Sequence, residues 1–218
     1  MGKIKDARQA VEAELAFDPL VDATDIEVKI VGPGQVALAG TVPSYPQYRE
    51  AAEATQRVAG VTDVHNHLAV VLPAGSYRDD AILATAANNA LAMNVTVPEG
   101  VEATAHDGNL RLTGTVRYGT QRWAAEMTVA GLTGVRNIKN HIDIAYDADP
   151  IDVTLLVQDA LDRNALIPDD SDVMVNTQGH GVTLEGHVRT WAEHDAAIGA
   201  AWMASGVFDV RDRLVVTG

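Results

Sequence analysis

The chain has 218 residues, 16 Lys and Arg against 30 Asp and Glu, a net charge of −14 and no cysteine. The missing cysteine excludes disulfides, thiolate nucleophiles and Cys-type zinc sites, and a field of that sign repels nucleic acid and anionic bilayers on average. The longest apolar runs, such as Val64 to Leu72, are too short to cross a bilayer.

The first predicted element is a helix whose apolar stripe is Ala7, Val11 and Leu15; spacing of four puts them on one face. Asp18-Pro19 stops it, because proline disfavours helix in the residue before it. Ile26, Val28 and Ile30 then alternate with other residues, Gly32-Pro33-Gly34 turns the chain, and Val36 and Leu38 resume, which predicts an antiparallel hairpin. Ser44 and Gln47 fit a capping box at the start of a second helix with the stripe Ala51, Thr55 and Val58. Gly60 supplies a left-handed residue at its end, and Val64, Leu68 and Val70 form a last strand.

The same order then returns twice. A second helix-period stripe is Leu83, Ala87 and Leu91, followed by Val101, Ala103 and Ala105, the turn His106-Asp107-Gly108-Asn109, and Leu110 and Leu112. The next helix stripe is Ala125, Val129 and Leu132, ahead of Gly134 and the strand of Ile138, Ile142 and Ile144. Tyr118 stands where a capping hydroxyl would, so this helix start is expected to be weaker. The third round runs Val153, Val157 and Leu161; Val173 and Val175; Gly179-His180-Gly181; Val182 and Leu184; a Thr190 and Glu193 capping box; Ala197, Ala201 and Ala204; Gly206; and Val210, Leu214 and Val216. Gly40, Gly114 and Gly186 are spaced by 74 and 72, and so are Gly60, Gly134 and Gly206. A unit of that length is too long for a solenoid repeat and reads as a small domain used three times.

The predicted fold is α+β: three tandem α-β-β-α-β units over residues 1–72, 77–146 and 150–218. Each is a three-stranded mixed sheet with both helices on one face, since a strand-helix-strand connection favours a right-handed parallel crossover. The linkers Pro73–Ser76 and Asp147–Pro150 are short. The units carry net charges of −4, −1 and −9 when their linkers are counted with them.

Helix, Asp-Pro, Ile-x-Val, a Gly turn, Val-x-Leu-x-Gly-x-Val, a Ser-x-x-Gln helix, Gly-Val-x-x-Val and Asn-x-Leu-x-Val together resemble the BON domain (bacterial OsmY and nodulation), along essentially the whole chain. The resemblance implies a non-enzymatic, transport-associated binding module, often in exported or envelope stress proteins. It implies phospholipid surfaces for some members and cation or osmotic responses for others. In this sequence Asp212-Arg213-Leu214 replaces the Asn-His-Leu and Asn-His-Ile of the first two units.

No enzyme signature is present: no His-Glu-x-x-His, no Gly-x-Ser-x-Gly, no Gly-x-x-x-x-Gly-Lys. No cofactor is expected. His65 and His67 are weak metal candidates, because they share the strand face opposite the helices but bring two imidazoles where zinc takes three or four ligands. A solvated or interface role is the expectation for them. Asp169-Asp170-Ser171-Asp172 lacks the glycine and distal glutamate of a calcium loop and reads as a turn. The sheet face opposite the helices carries few charges in unit one (Ala37, Ala39, Thr41, His65, His67, Ala69, Val71), and packing between units is expected to cover it.

Aromatic residues gather at the starts of the second helices: Tyr45 and Tyr48, Tyr118 and Trp123, and Trp191. Rings of this kind suit lipid and protein interfaces. Arg117 and Arg122 flank Tyr118 and Trp123 in the nearly neutral middle unit, so Arg117, Tyr118, Arg122 and Trp123, with Tyr45 and Trp191, are the expected lipid or partner contacts. The reading is a binding or scaffold protein without catalysis, in envelope or osmotic stress, touching phospholipid or protein. A cation- or small-ligand-responsive regulator is the alternative. The opening residues, Met1 to Arg8, show no apolar signal core, so the chain as given reads as cytoplasmic, or as periplasmic if it is a processed or trimmed form.

Overall fold

The computed structural model describes residues 7–145, 153–168, 172–179, 181–204 and 207–217. Unit one comprises α1 (Ala7–Phe17), β1 (Ile26–Gly32), β2 (Gln35–Val42), α2 (Tyr45–Gln56) and β3 (Asp63–Val70). Unit two comprises α3 (Asp80–Met93), β4 (Glu102–His106), β5 (Asn109–Val116), α4 (Gly119–Ala130) and β6 (Asn137–Ile144). Unit three comprises α5 (Val153–Asp162), β7 (Met174–Gln178), β8 (Gly181–Val188), α6 (Trp191–Met203) and β9 (Asp209–Val216). In each sheet the second strand lies in the middle, antiparallel to the first and parallel to the third. This is the α-β-β-α-β order expected from the hydrophobic periods.

The buried stripes are the predicted ones. Val11 and Leu15 of α1, Leu83, Ala87 and Leu91 of α3, and Val153, Val157 and Leu161 of α5 lie over the inward residues of the sheets. Ala51, Ala125 and Ala197 are fully buried at one position of the three second helices, where a small side chain lets helix and sheet approach closely.

Gly40, Gly114 and Gly186 occupy one structural position in the middle strands, with φ of +114°, +132° and +128°. They pair with Leu68, Ile142 and Leu214 in register. A Cβ at each would run into the backbone carbonyl oxygen of Asp25, Gly100 and Asp172 respectively. Both the dihedral and the close approach therefore demand glycine.

The helix starts differ in detail from the expected boxes. The Ser44 hydroxyl accepts from the Gln47 N–H, but the Gln47 side chain accepts from the Asp22 N–H at 2.8 Å instead of reaching back to Ser44. In unit two the Gln121 side chain accepts from the N–H of both Arg117 (2.9 Å) and Tyr118 (3.2 Å), and the Gln121 N–H donates to the Tyr118 carbonyl at 3.0 Å. Thr190 caps Glu193, whose carboxylate accepts from the Arg189 N–H. Gly60 and Gly134 are left-handed, at φ +87° and +103°, yet α2 and α4 end several residues earlier, so these glycines close the turn beyond the helix. Gly206, His180, the linker from Asp147 to Pro150, and Asp169, Asp170 and Ser171 lie outside the described residues. Asp172 is described, and its carboxylate is engaged by the His187 backbone N–H and ring.

Substituting Gly114→Ala should destabilise the chain by about 2–4 kcal/mol, from a left-handed backbone and an overpacked contact together. Chemical denaturation of the variant checks this; a change within error would show that the strand can relax around a Cβ.

Candidate functional site: the joints between units and the tips they hold

The first residue of each second helix lies at a contact with the next unit. Tyr45 opens α2 and is 6% exposed, because it enters the core of unit two, among residues that include Ala130 and Val135. Tyr48 stacks on it, with ring centroids 5.7 Å apart, and packs against the cores of both units. The Arg49 guanidinium meets the sulfur of Met127. Burial pushes the Tyr45 phenol above its ordinary value, and nearby Glu126 acts in the same direction.

Gly119 opens α4 at the position corresponding to Tyr45. The indole of Trp202, on α6, lies where its Cβ would be. Trp191 opens α6, and its indole N–H donates to the Val61 carbonyl of unit one at 3.2 Å. Unit one thus contacts two, two contacts three, and three contacts one. Repeated head-to-tail contacts that close form a ring.

These joints run through the helices; on the open face of unit one Ala37 is buried and Ala39 and Thr41 are half-buried. His65, His67, Ala69 and Val71 are exposed on the open face of unit one. The rings of His65 and His67 stack at 6.3 Å, and Asp63 lies 3.3 Å from His65. Among the described residues no group of three or more His, Asp or Glu could hold a metal.

The aromatic and basic residues singled out by sequence divide into two sets. Tyr45 and Trp191 belong to joints. Trp123 is 63% exposed and Tyr118 is exposed beside it. The Arg122 guanidinium donates to the Asn140 carbonyl at 3.3 Å and turns toward its own sheet. Arg117 donates its backbone N–H to Gln121.

A second recurring feature was not anticipated. Each first helix ends in the same turn. Asp18, Asn94 and Asn164 accept through a side-chain oxygen from the N–H two residues on, at 2.8, 2.9 and 3.1 Å. Around that turn apolar side chains point outward: Phe17 (82% exposed) and Leu20 in unit one, Met93 (84%) and Val95 (102%) in unit two, and Leu166 (60%) in unit three. The available signal was the presence of large apolar residues off the buried stripes of the first helices.

Unit one braces its tip with charge. Arg57 reaches Glu14 at 3.1 Å, Glu50 at 3.0 Å and the nearly buried Asp18. The backbone N–H of Leu20 first, and then Arg57, hold the Asp18 carboxyl below the ordinary carboxylate value. Asp80 is lowered likewise by the N–H groups of Gly108 and Asp107, and Asp172 by His187.

A family model for the BON domain matches residues 4–71, 79–146 and 152–218. The chain belongs to the BON-domain family. Among curated proteins none matches it in sequence. Solved structures similar to it include CdsD, a structural protein of the type III secretion system of Chlamydia trachomatis, at 14% identity over 95% of this chain and 90% of that one, with a TM-score of 0.26. The C-terminal domain of CdsD is similar at 15% identity, covers both chains fully and has a TM-score of 0.26. The PrgH periplasmic domain is similar at 8% identity over 88% and 95%, with a TM-score of 0.24. Likenesses at that level carry no argument about this BON protein.

Two outcomes follow. The lowered carboxyls of Asp18, Asp80 and Asp172 contribute stability that is present above the unfolded value of about 3.9 and lost as pH falls through their lower folded values. Asp18→Asn should therefore lower stability at neutral pH and flatten the acid limb of a stability–pH profile; an unchanged limb would remove Asp18 from that account. Gly119→Ala would ordinarily help a helix, yet here it should cost about 1–3 kcal/mol, because the methyl displaces Trp202. Thermal melts of the variant, followed by Trp fluorescence, decide the sign.

Proposed function

We propose that this chain is a non-enzymatic BON-domain scaffold that docks on a phospholipid surface through the three apolar tips at the ends of its first helices. An envelope or osmotic stress setting is the one that goes with such a role. The observation that carries the reading is the recurrence of exposed Phe17 and Leu20, Met93 and Val95, and Leu166 on one turn used three times. Each tip alone is too small for a protein interface of ordinary size. Together they act by avidity, since the second and third insertions are intramolecular.

Charge selects the lipid. A chain with net charge −14 is repelled by anionic headgroups, so zwitterionic bilayers are the favoured surface. Fully burying one Phe, Met or Leu contributes about 1.5–3 kcal/mol, so each tip changes partitioning by roughly ten- to a hundredfold. The exposed Trp123 and Tyr118 are a separate candidate contact on unit two.

Co-sedimentation with phosphatidylcholine vesicles tests the proposal. Wild type should bind; Phe17→Ser should bind at least about tenfold more weakly; and the triple variant Phe17→Ser, Met93→Ser, Leu166→Ser should not bind. Full binding by the triple variant, together with loss in Trp123→Ser, would move the contact to the Trp123 surface. Failure of wild type to bind any vesicle would sink the lipid reading.

A further inference from the structure

The joint between units three and one carries an ionisable group directly behind its anchoring ring. His194 lies edge-on to the Trp191 indole, with ring centroids 4.9 Å apart at 67°. Its side chain is only 12% exposed. Nδ1 is 3.0 Å from an Asp195 carboxylate oxygen, and Nε2 is 2.8 Å from one of Asp212. Ionised carboxylates only accept hydrogen bonds, and a neutral imidazole has a single N–H. The neutral ring would therefore set a lone pair against one of the two carboxylates; only the imidazolium donates to both.

Units one and two have an asparagine brace at this place, and in unit two Asn140 also donates to the Glu126 carboxylate at 3.1 Å. Asn66 donates to the Tyr48 carbonyl at 2.7 Å, and Asn140 donates to the Arg122 carbonyl at 3.1 Å. Tyr48 and Arg122 occupy the position that His194 has in unit three, and Asp212 occupies that of the asparagines. All three strand residues also accept from the N–H two positions on, of Leu68, Ile142 and Leu214, so the local turn is kept while the brace is changed. The third unit has exchanged a contact with no proton to lose for one that depends on a proton.

We infer that closure of the ring between units three and one is gated by the protonation of His194. With the imidazolium held between Asp195 and Asp212, the Trp191 indole is fixed against Val61. Loss of the proton leaves one carboxylate facing a lone pair, loosens the ring from its place behind Trp191, and opens the joint. The closed form is the low-pH form.

The neighbouring charged groups are engaged elsewhere. Glu193, on the same helix, accepts from the Arg189 N–H. On β9 Arg211 pairs with Asp209, and Arg213 pairs with Glu185. Across the joint Asp63, two residues from Val61, lies against His65.

The absence of cysteine makes the test direct. Spin labels at Val71→Cys and Val215→Cys, both exposed positions on units one and three, report the distance across the joint by double electron–electron resonance. At about pH 5 a single narrow distance is expected; at about pH 8 it should be lost to a broad, longer distribution. Trp191→Ala should show the broad distribution at both values and so define the open state. His194→Gln, which cannot donate to two carboxylates as a cation does, should give the same distribution at both values. In the double variant Asp195→Asn, Asp212→Asn a neutral His194 finds partners for both ring nitrogens, so the narrow distance should persist at pH 8. One unchanged narrow distance in wild type at both pH values overturns the inference, and so does a pH response that survives in His194→Gln.

Discussion

The arrangement of this molecule depends on one contact made three times: the first residue of a second helix set against the end of the second helix, or the turn after it, in the next unit. A domain of about 70 residues buries a modest fraction of its surface and is marginal alone. Tyr45 shows what the joint adds, because it belongs to the core of unit two although it opens a helix of unit one. The contact also sets helix N-termini near the C-terminal ends of their neighbours, the favourable sense for backbone dipoles.

The three joints share a place and differ in chemistry. Unit one supplies a tyrosine to a region containing Ala130, unit two supplies Gly119 to Trp202, and unit three supplies Trp191 to a backbone carbonyl. Ala130 and Trp202 occupy corresponding positions, so a large residue on one side goes with a small one on the other. Rotating the units by one place would set Tyr45 toward Trp202 and leave Gly119 opposite a site that needs a ring. Size complementarity of this kind separates the intended order from the alternatives that a threefold repeat otherwise permits.

Most of one unit was legible in the sequence, because its signals are local. Alternation in Ile26, Val28 and Ile30, the four-residue stripe of Leu83, Ala87 and Leu91, and the recurring glycines each report on neighbours close along the chain. The demand for Gly40, Gly114 and Gly186 was visible as spacing, while its cause, a carbonyl oxygen just ahead of each unit's first strand, was not. The joints were not legible. Gly119 and Trp202 have no periodic relation, and an aromatic at a helix start suits a lipid, a partner or a neighbouring domain equally well. For the same reason sequence alone placed the covering of unit one's open sheet face between units, whereas the helices made the contact and left His65 and His67 exposed.

The exposed tips and the closing joint lie in different parts of the unit, and this gives the ring a mechanical logic. The tips hang on the Asx turns that end the first helices, which unit one ties to its second helix through Arg57. The joints hang on the starts of the second helices, whereas the Arg57 that holds the tip of unit one lies just past the end of its second helix. A rotation of one unit about its joint therefore moves its tip without unfolding anything. The last unit, with net charge −9 when its linker is included, has the strongest self-repulsion to resist and carries a joint braced by a histidine between two carboxylates. Acid that protonates His194 also neutralises part of that repulsion, so both effects favour the closed ring in the same direction of pH. Three weak apolar insertions act as one only while the units that carry them stay joined.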